Sequence, residues 1–126
     1  MRPLTAVFER LVDELRRVTG LRVNVGWSQS TVIPSITLQM RGCEITPLDL
    51  TSSKHLMDMS VQIDLCHASP RARDETSDKV IQFFEETRQR LAEELEAYSI
   101  YFEAVIDVDD EKCFRKTMLL RLKMVG

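Results

Sequence analysis

Residues 57–95 read MDMSVQIDLCHASPRARDETSDKVIQFFEETRQRLAEEL, and two different periods meet inside them. Met57, Met59, Val61, Ile63 and Leu65 alternate with Asp58, Ser60, Gln62, Asp64 and Cys66, the pattern of a strand with one buried face. At about 3.3 Å per residue that strand reaches roughly 30 Å. Ser69 then stands as a helix N-cap, and Pro70 occupies the first helical position, where a missing N–H costs nothing. Beyond them Val80, Phe83, Phe84, Thr87, Leu91 and Leu95 recur at helical spacing. Glu85, Glu86, Arg88, Gln89, Arg90, Glu93 and Glu94 fill the opposite, solvated face.

On the N-terminal side, Leu4, Val7, Phe8, Leu11, Val12, Leu15 and Val18 set out a first amphipathic helix, and Gly20 is placed to end it, because glycine takes a left-handed conformation without steric cost. Leu21, Val23, Val25 and Trp27 then alternate with polar or small residues and predict a strand. Ile36, Leu38 and Met40 predict a second, running from Pro34 to a turn at Gly42, so that the two form a hairpin or meander. The stretch PLDLTSSKH, Pro47 to His55, is polar and turn-rich, and is expected to be an exposed loop.

On the C-terminal side, Ile100, Phe102, Ala104, Ile106 and Val108 alternate up to the polar tip Asp109–Lys112. Phe114, Met118, Leu120, Leu122 and Met124 follow, giving a hairpin with an acidic turn. The predicted order is α-β-β-β-α-β-β, an α+β class in which two helices pack on a mostly antiparallel sheet. With 126 residues, 44% of them hydrophobic, residues 1–126 fit a single domain.

Seventeen basic against twenty acidic residues give a net charge of −3, which offers no excess for gripping phosphate backbones, so sequence-specific nucleic acid is not an expected partner. No apolar run is long enough to span a bilayer, and MRPLTAVFERLVDELRR interrupts its apolar steps with charge, unlike a signal peptide. No membrane partner and a cytoplasmic origin are therefore expected.

Cys43, Cys66 and Cys113 are odd in number and form no Cys-x-x-Cys pair, so reduced thiols are expected. Adjacent Cys66 and His67, with His55 and the other cysteines, invite a metal or nucleophile site, but their spacing supports neither, and they read more simply as strand-end and loop residues. Asp107, Asp109, Asp110 and Glu111 lack the spacing and central glycine of a calcium loop; an acidic tip that discourages edge pairing is the simpler reading. No glycine stands in a phosphate-cradling pattern and no serine in a nucleophile elbow. The sequence predicts no enzyme, no cofactor and no metal.

Met40, Met57, Met59, Met118 and Met124 fall on apolar strand faces, where thioethers fill core gaps. Val105, Leu119 and Val125 fall opposite the expected core residues of the last hairpin, which suggests that a partner subunit covers a second side.

SVQIDLCHASPRARDETSDKVIQFFEETRQRL resembles the segment of phage tail terminators in which a V-x-I-D-L strand runs into a long helix. DVDDEKCFRKTMLLRLKMV is similar to that family's closing hairpin, with an acidic turn, an aromatic, an arginine and an alternating strand. With the opening helix, the likeness spans nearly the whole chain. It implies an α+β structural subunit, monomeric or weakly associated in solution, that forms a hexameric ring on the last ring of tail tube protein. The ring would stop tube growth and offer a docking face to the head-tail connector or neck protein, with DNA passing through it. The location implied is the host cytoplasm during assembly, then the head-proximal end of the virion tail. Contact surfaces carried over by this resemblance lie in the Pro47–His55 loop (Leu48, Asp49, Leu50, Lys54), the tip (Asp109, Asp110, Glu111, Lys112) and Arg115. Leu119 and Arg121 join them from the apolar surplus and charge of the last strand, the two arginines meeting a neighbour's acidic tip. The alternatives are another head-tail connector or neck protein, or a non-viral protein-binding module.

Overall fold

The computed structural model describes residues 4–26, 33–50, 53–109 and 113–125. Helix α1 (Leu4–Thr19) is followed by strands β1 (Arg22–Val25), β2 (Ser35–Pro47) and β3 (His55–His67), helix α2 (Pro70–Leu95), and strands β4 (Ala97–Asp109) and β5 (Phe114–Val125). The order α-β-β-β-α-β-β and the α+β class agree with the reading from sequence. The five strands make one sheet in the order β1-β2-β3-β5-β4.

Both helices lie on one face of this sheet. Val7, Leu11, Val12 and Leu15 of α1 and Val80, Phe83, Phe84, Leu91 and Leu95 of α2 are buried against Ile36, Leu38, Val61, Ile63, Leu65, Leu120 and Leu122. Met57, Met59, Met118 and Met124 are buried in the same core, and Met40 packs partly buried against it. Gly20 sits at φ +69° directly after α1, and its N–H donates to the Arg16 carbonyl at 2.8 Å, the left-handed stop its position promised. Ser69 caps α2, its hydroxyl oxygen accepting from the Ala72 N–H at 3.1 Å.

Four expectations are corrected. β1 and β2 are neighbours but parallel, Val23 lying beside Ile36 and Val25 beside Leu38, so they are not a hairpin. Alternation reports which face of a strand is buried and is silent on its neighbour's direction. Gly42 is not a turn: β2 runs on to Pro47, and a bulge between Met40 and Gly42 shifts its register against β3. A second bulge, between Phe102 and Ala104, inverts the distal half of β4. Val105 pairs with core residue Met118, whereas Ile106 pairs with Thr117 and Val108 with Arg115, on the other face. One extra residue exchanges every later side chain between faces, which period-two counting cannot anticipate.

The fourth correction concerns the thiols. Cys66 and Cys113 form a disulfide with a Cα–Cα distance of 5.7 Å, and only Cys43 is free. His67 pairs with Phe114, so β3–β5 pairing brings two cysteines 47 positions apart into reach. Counting local spacings cannot detect such a pair.

Candidate assembly interface

No described element lies over the sheet face opposite the helices. The four long strands are about 4.8 Å apart and about 40 Å long, so this face measures roughly 800 Å². That is of the order of the surface, about 800 Å², that each partner contributes to a standard protein–protein interface.

Two hydrogen-bonded rows cross it. In the first, Arg41 Nη1 donates to Gln62 Oε1 (3.0 Å), Gln62 Nε2 to Asp64 Oδ2 (2.9 Å), and Thr117 Oγ1 to Asp64 Oδ1 (2.6 Å). In the second, Arg121 donates from Nε to Asp58 (2.9 Å) and from Nη1 to Glu103 (3.2 Å). The hydrogen bond to Asp58 and its charge first, and then the hydrogen bond to Glu103 and its charge, raise the Arg121 pKa further. Leu119 lies between the rows, in register with Gln62 and Ala104. Half-buried, it helps line a shallow depression of about 360 Å³ with Arg121, Gly42 and Ser60. Ile106 and Val108, both exposed, extend the apolar strip along β4. The face thus combines fixed polar groups with apolar area, the composition from which interface centres and rims are built.

The expected contact residues divide into three groups. Arg115, Leu119 and Arg121 share the uncovered face of β5, as expected. Arg121, however, is engaged by its own chain's Asp58 and Glu103, so the expectation that it pairs with a neighbour's acidic tip is replaced by an internal ion pair. Leu48, Asp49, Leu50 and Lys54 are exposed at the tip of the β2–β3 hairpin, where the Leu48 N–H donates to the Lys54 carbonyl at 3.2 Å. Asp109 ends β4 opposite Phe114, while Asp110, Glu111 and Lys112 lie outside the described residues. Pro47 pairs with His55 at one end of the sheet and His67 with Phe114 at the other. Leu48 and Lys54 are therefore separated from the end of β4 at Asp109 by the length of β3, roughly 40 Å. Val125 is exposed on the uncovered face, whereas Val105 belongs to the helix side.

Sequence reading missed two charged clusters. Lys116 reaches Asp74 (2.9 Å) and Asp107 (3.3 Å), and buried Arg73 reaches Asp74 (3.0 Å) and Asp107 (3.6 Å), which ties the start of α2 to β4 and β5. Hydrogen bonds from Lys116 and then Arg73 hold the Asp74 carboxyl below its ordinary pKa. Burial alone would lower the Lys116 pKa, but its bonds to Asp74 and Asp107 outweigh this and raise it. The second cluster joins the helices: buried Glu14 meets Arg10 (2.9 Å), Arg17 (2.6 Å) and Arg90 (3.8 Å), and Arg10 also pairs with Glu94. Stepping back from Val80 by helical intervals reaches Ser77 and Arg73, both buried. Extending the stripe across polar residues would have found them.

Among the described residues, no group of three or more His, Cys, Asp or Glu side chains is placed to hold a metal ion. No helix is long and apolar enough to cross a membrane. No protein-family model matches the chain, and no curated protein matches it.

Proposed function

We propose that this chain is a non-enzymatic assembly subunit that forms a ring closing the head-proximal end of a phage tail tube. The carrying observation is the uncovered sheet face, about as large as a standard interface half, with half-buried Leu119 and exposed Ile106 and Val108 on it. Apolar residues grouped on an open face are a common mark of an interaction surface. The placement of Leu48 and Lys54 at one end of the sheet and of the end of β4, Asp109, at the other supports the reading as well. A ring between tube and connector needs two docking ends, and these two ends of the sheet are the candidates for them. The resemblance of the β3–α2 segment and the closing hairpin to tail terminators gives the ring its partners: the tube protein below, the connector or neck protein above.

The test is to add the purified chain to tubes polymerised from a phage tail tube protein of the same genome, where one is found, and to view them by negative-stain microscopy. A ring on one end of each tube, with elongation stopped, is expected. Tubes that stay bare and keep growing would overturn the reading.

A further inference from the structure

The two outer edges of the sheet are complementary to each other. β1 pairs with β2 only along Ser35–Leu38, so beyond Leu38 the outer edge of β2 faces no described strand. After the bulge at Met40/Gly42, six regular residues, Gly42–Pro47, form this open edge. On the other side β4 is the last strand, and its bulges at Ala97/Ser99 and Phe102/Ala104 confine its regular edge to another six residues, Ala104–Asp109. Natural edges are usually blunted by bulges or charges. Here the bulges lie at the start of the two runs, and beside Glu44 and Pro47 the runs carry Ile45 (59% exposed), Val105 (42%), Ile106 (49%) and Val108 (38%). The one charge central to the β4 run, Asp107, is drawn to Lys116 and Arg73 of its own chain.

We propose that a second copy of this chain occupies each edge, residues 104–108 of β4 in one copy adding as an antiparallel strand to residues 42–46 of β2 in the next. Strand direction permits it. β2, β3, β5 and β4 alternate in direction, so β4 runs opposite to β2, and a neighbour rotated about an axis along the strands brings β4 antiparallel to β2. Side-chain facing permits it too. Ile45 pairs with Met57 and Val105 with Met118, both core residues, so Ile45 and Val105 point to the helix side. Setting Ile45 opposite Val105 places Glu44 opposite Ile106 and continues both faces across the junction, whereas a slip of one residue would reverse them. Because the two edges differ, the contact is head-to-tail and repeats until rotation closes it. The inference deepens the ring reading and rests on it for closure, while the edge contact itself can be tested separately.

In a Cys43→Ser background, Ile45→Cys/Val105→Cys is assembled with tail tubes, oxidised, and run on a non-reducing gel. The proposal expects a ladder rising by one chain per step. Ile45→Cys/Ile106→Cys, whose second thiol points to the other face, should give at least about fivefold less, since thiols on opposed faces cannot reach disulfide geometry. Equal yields from the two pairs, or no ladder while rings are visible, would refute edge pairing and leave the ring reading intact. Cross-linking of Val105→Cys to a tube subunit bearing scanning cysteines, in place of a second copy, would also refute it. A ladder that forms without any capped tube would support the edge contact and sink the terminator reading.

Discussion

His67 ends β3 on the helix side, 7% exposed, and its Nε2 meets no hydrogen-bond partner among the described residues. Burial lowers its pKa below 6.5, because the imidazolium would lose its hydration without gaining a partner. The folded protein therefore binds this proton at lower pH than the unfolded chain does. Stability is fully present above the unfolded pKa and declines as pH falls through it, until the folded group titrates as well. Urea midpoints should drop between pH 7.5 and 5.5, and His67→Gln should flatten that part of the profile. Parallel profiles for the two proteins would show that His67 does not titrate there. Asp74 works in a separate window, since its depressed pKa adds stability that disappears as pH falls below 3.8. The neighbouring Cys66–Cys113 bond closes a loop of 47 residues, worth at most about 4 kcal/mol of unfolded-chain entropy. Reductant or Cys113→Ser should lower the unfolding free energy by about 2–4 kcal/mol, and an unchanged midpoint under reductant would show that the bond does not stabilise the fold.

Among the elements, α2 has the start most plainly written in the sequence, since Ser69 and Pro70 each have a physical reason to stand there. Ser69→Ala removes the acceptor of the Ala72 N–H and should cost about 1 kcal/mol, read as a shift in urea midpoint with the slope unchanged. A neutral outcome would mean that water replaces the cap. The same legibility extends to α1 with its stop at Gly20, to β3, and to the α+β order, because each rests on a period sustained over several residues. It fails where one residue breaks the period. The bulges at Met40/Gly42 and Phe102/Ala104 carry no distinctive composition, so Gly42 resembles a turn and Val108 a core residue, although Val108 is exposed. It fails again where contacts are non-local, as for parallel β1 and β2, the Cys66–Cys113 pair, and Arg121 with Asp58 and Glu103. Of the candidate site, Leu119 and its face could be read from the surplus apolar residues of β5. The ion pairs that fix the face could not, because charge patterning along one strand does not name partners on another.

For the whole molecule, the decisive contrast lies between two adjacent leucines of β5. Leu120 is fully buried under the helices, whereas Leu119 is half-buried on the uncovered face beside Gln62 and Ala104. Leu120→Ala should destabilise the fold by about 2–5 kcal/mol, because it leaves a cavity in a core that cannot fully collapse. Leu119→Asp removes modest apolar burial, and the new carboxylate stays in contact with water, so the isolated subunit should keep its circular dichroism spectrum and most of its stability. Where a neighbouring subunit covers this face, a contact separate from the edge pairing, the same carboxylate would be taken out of water, where an uncompensated charge costs several kcal/mol. Repeated at every copy, that cost exceeds the binding energy a weak subunit contact can spare, so Leu119→Asp should abolish ring assembly on tail tubes. Size-exclusion chromatography with tubes would report the loss. Because Arg121, the charge beside Leu119, is already held by Asp58 and Glu103, wild-type assembly should change little as salt rises from low to physiological strength. Unfolding of Leu119→Asp would assign the residue to the core, and normal assembly of the folded variant would remove the uncovered face from the interface.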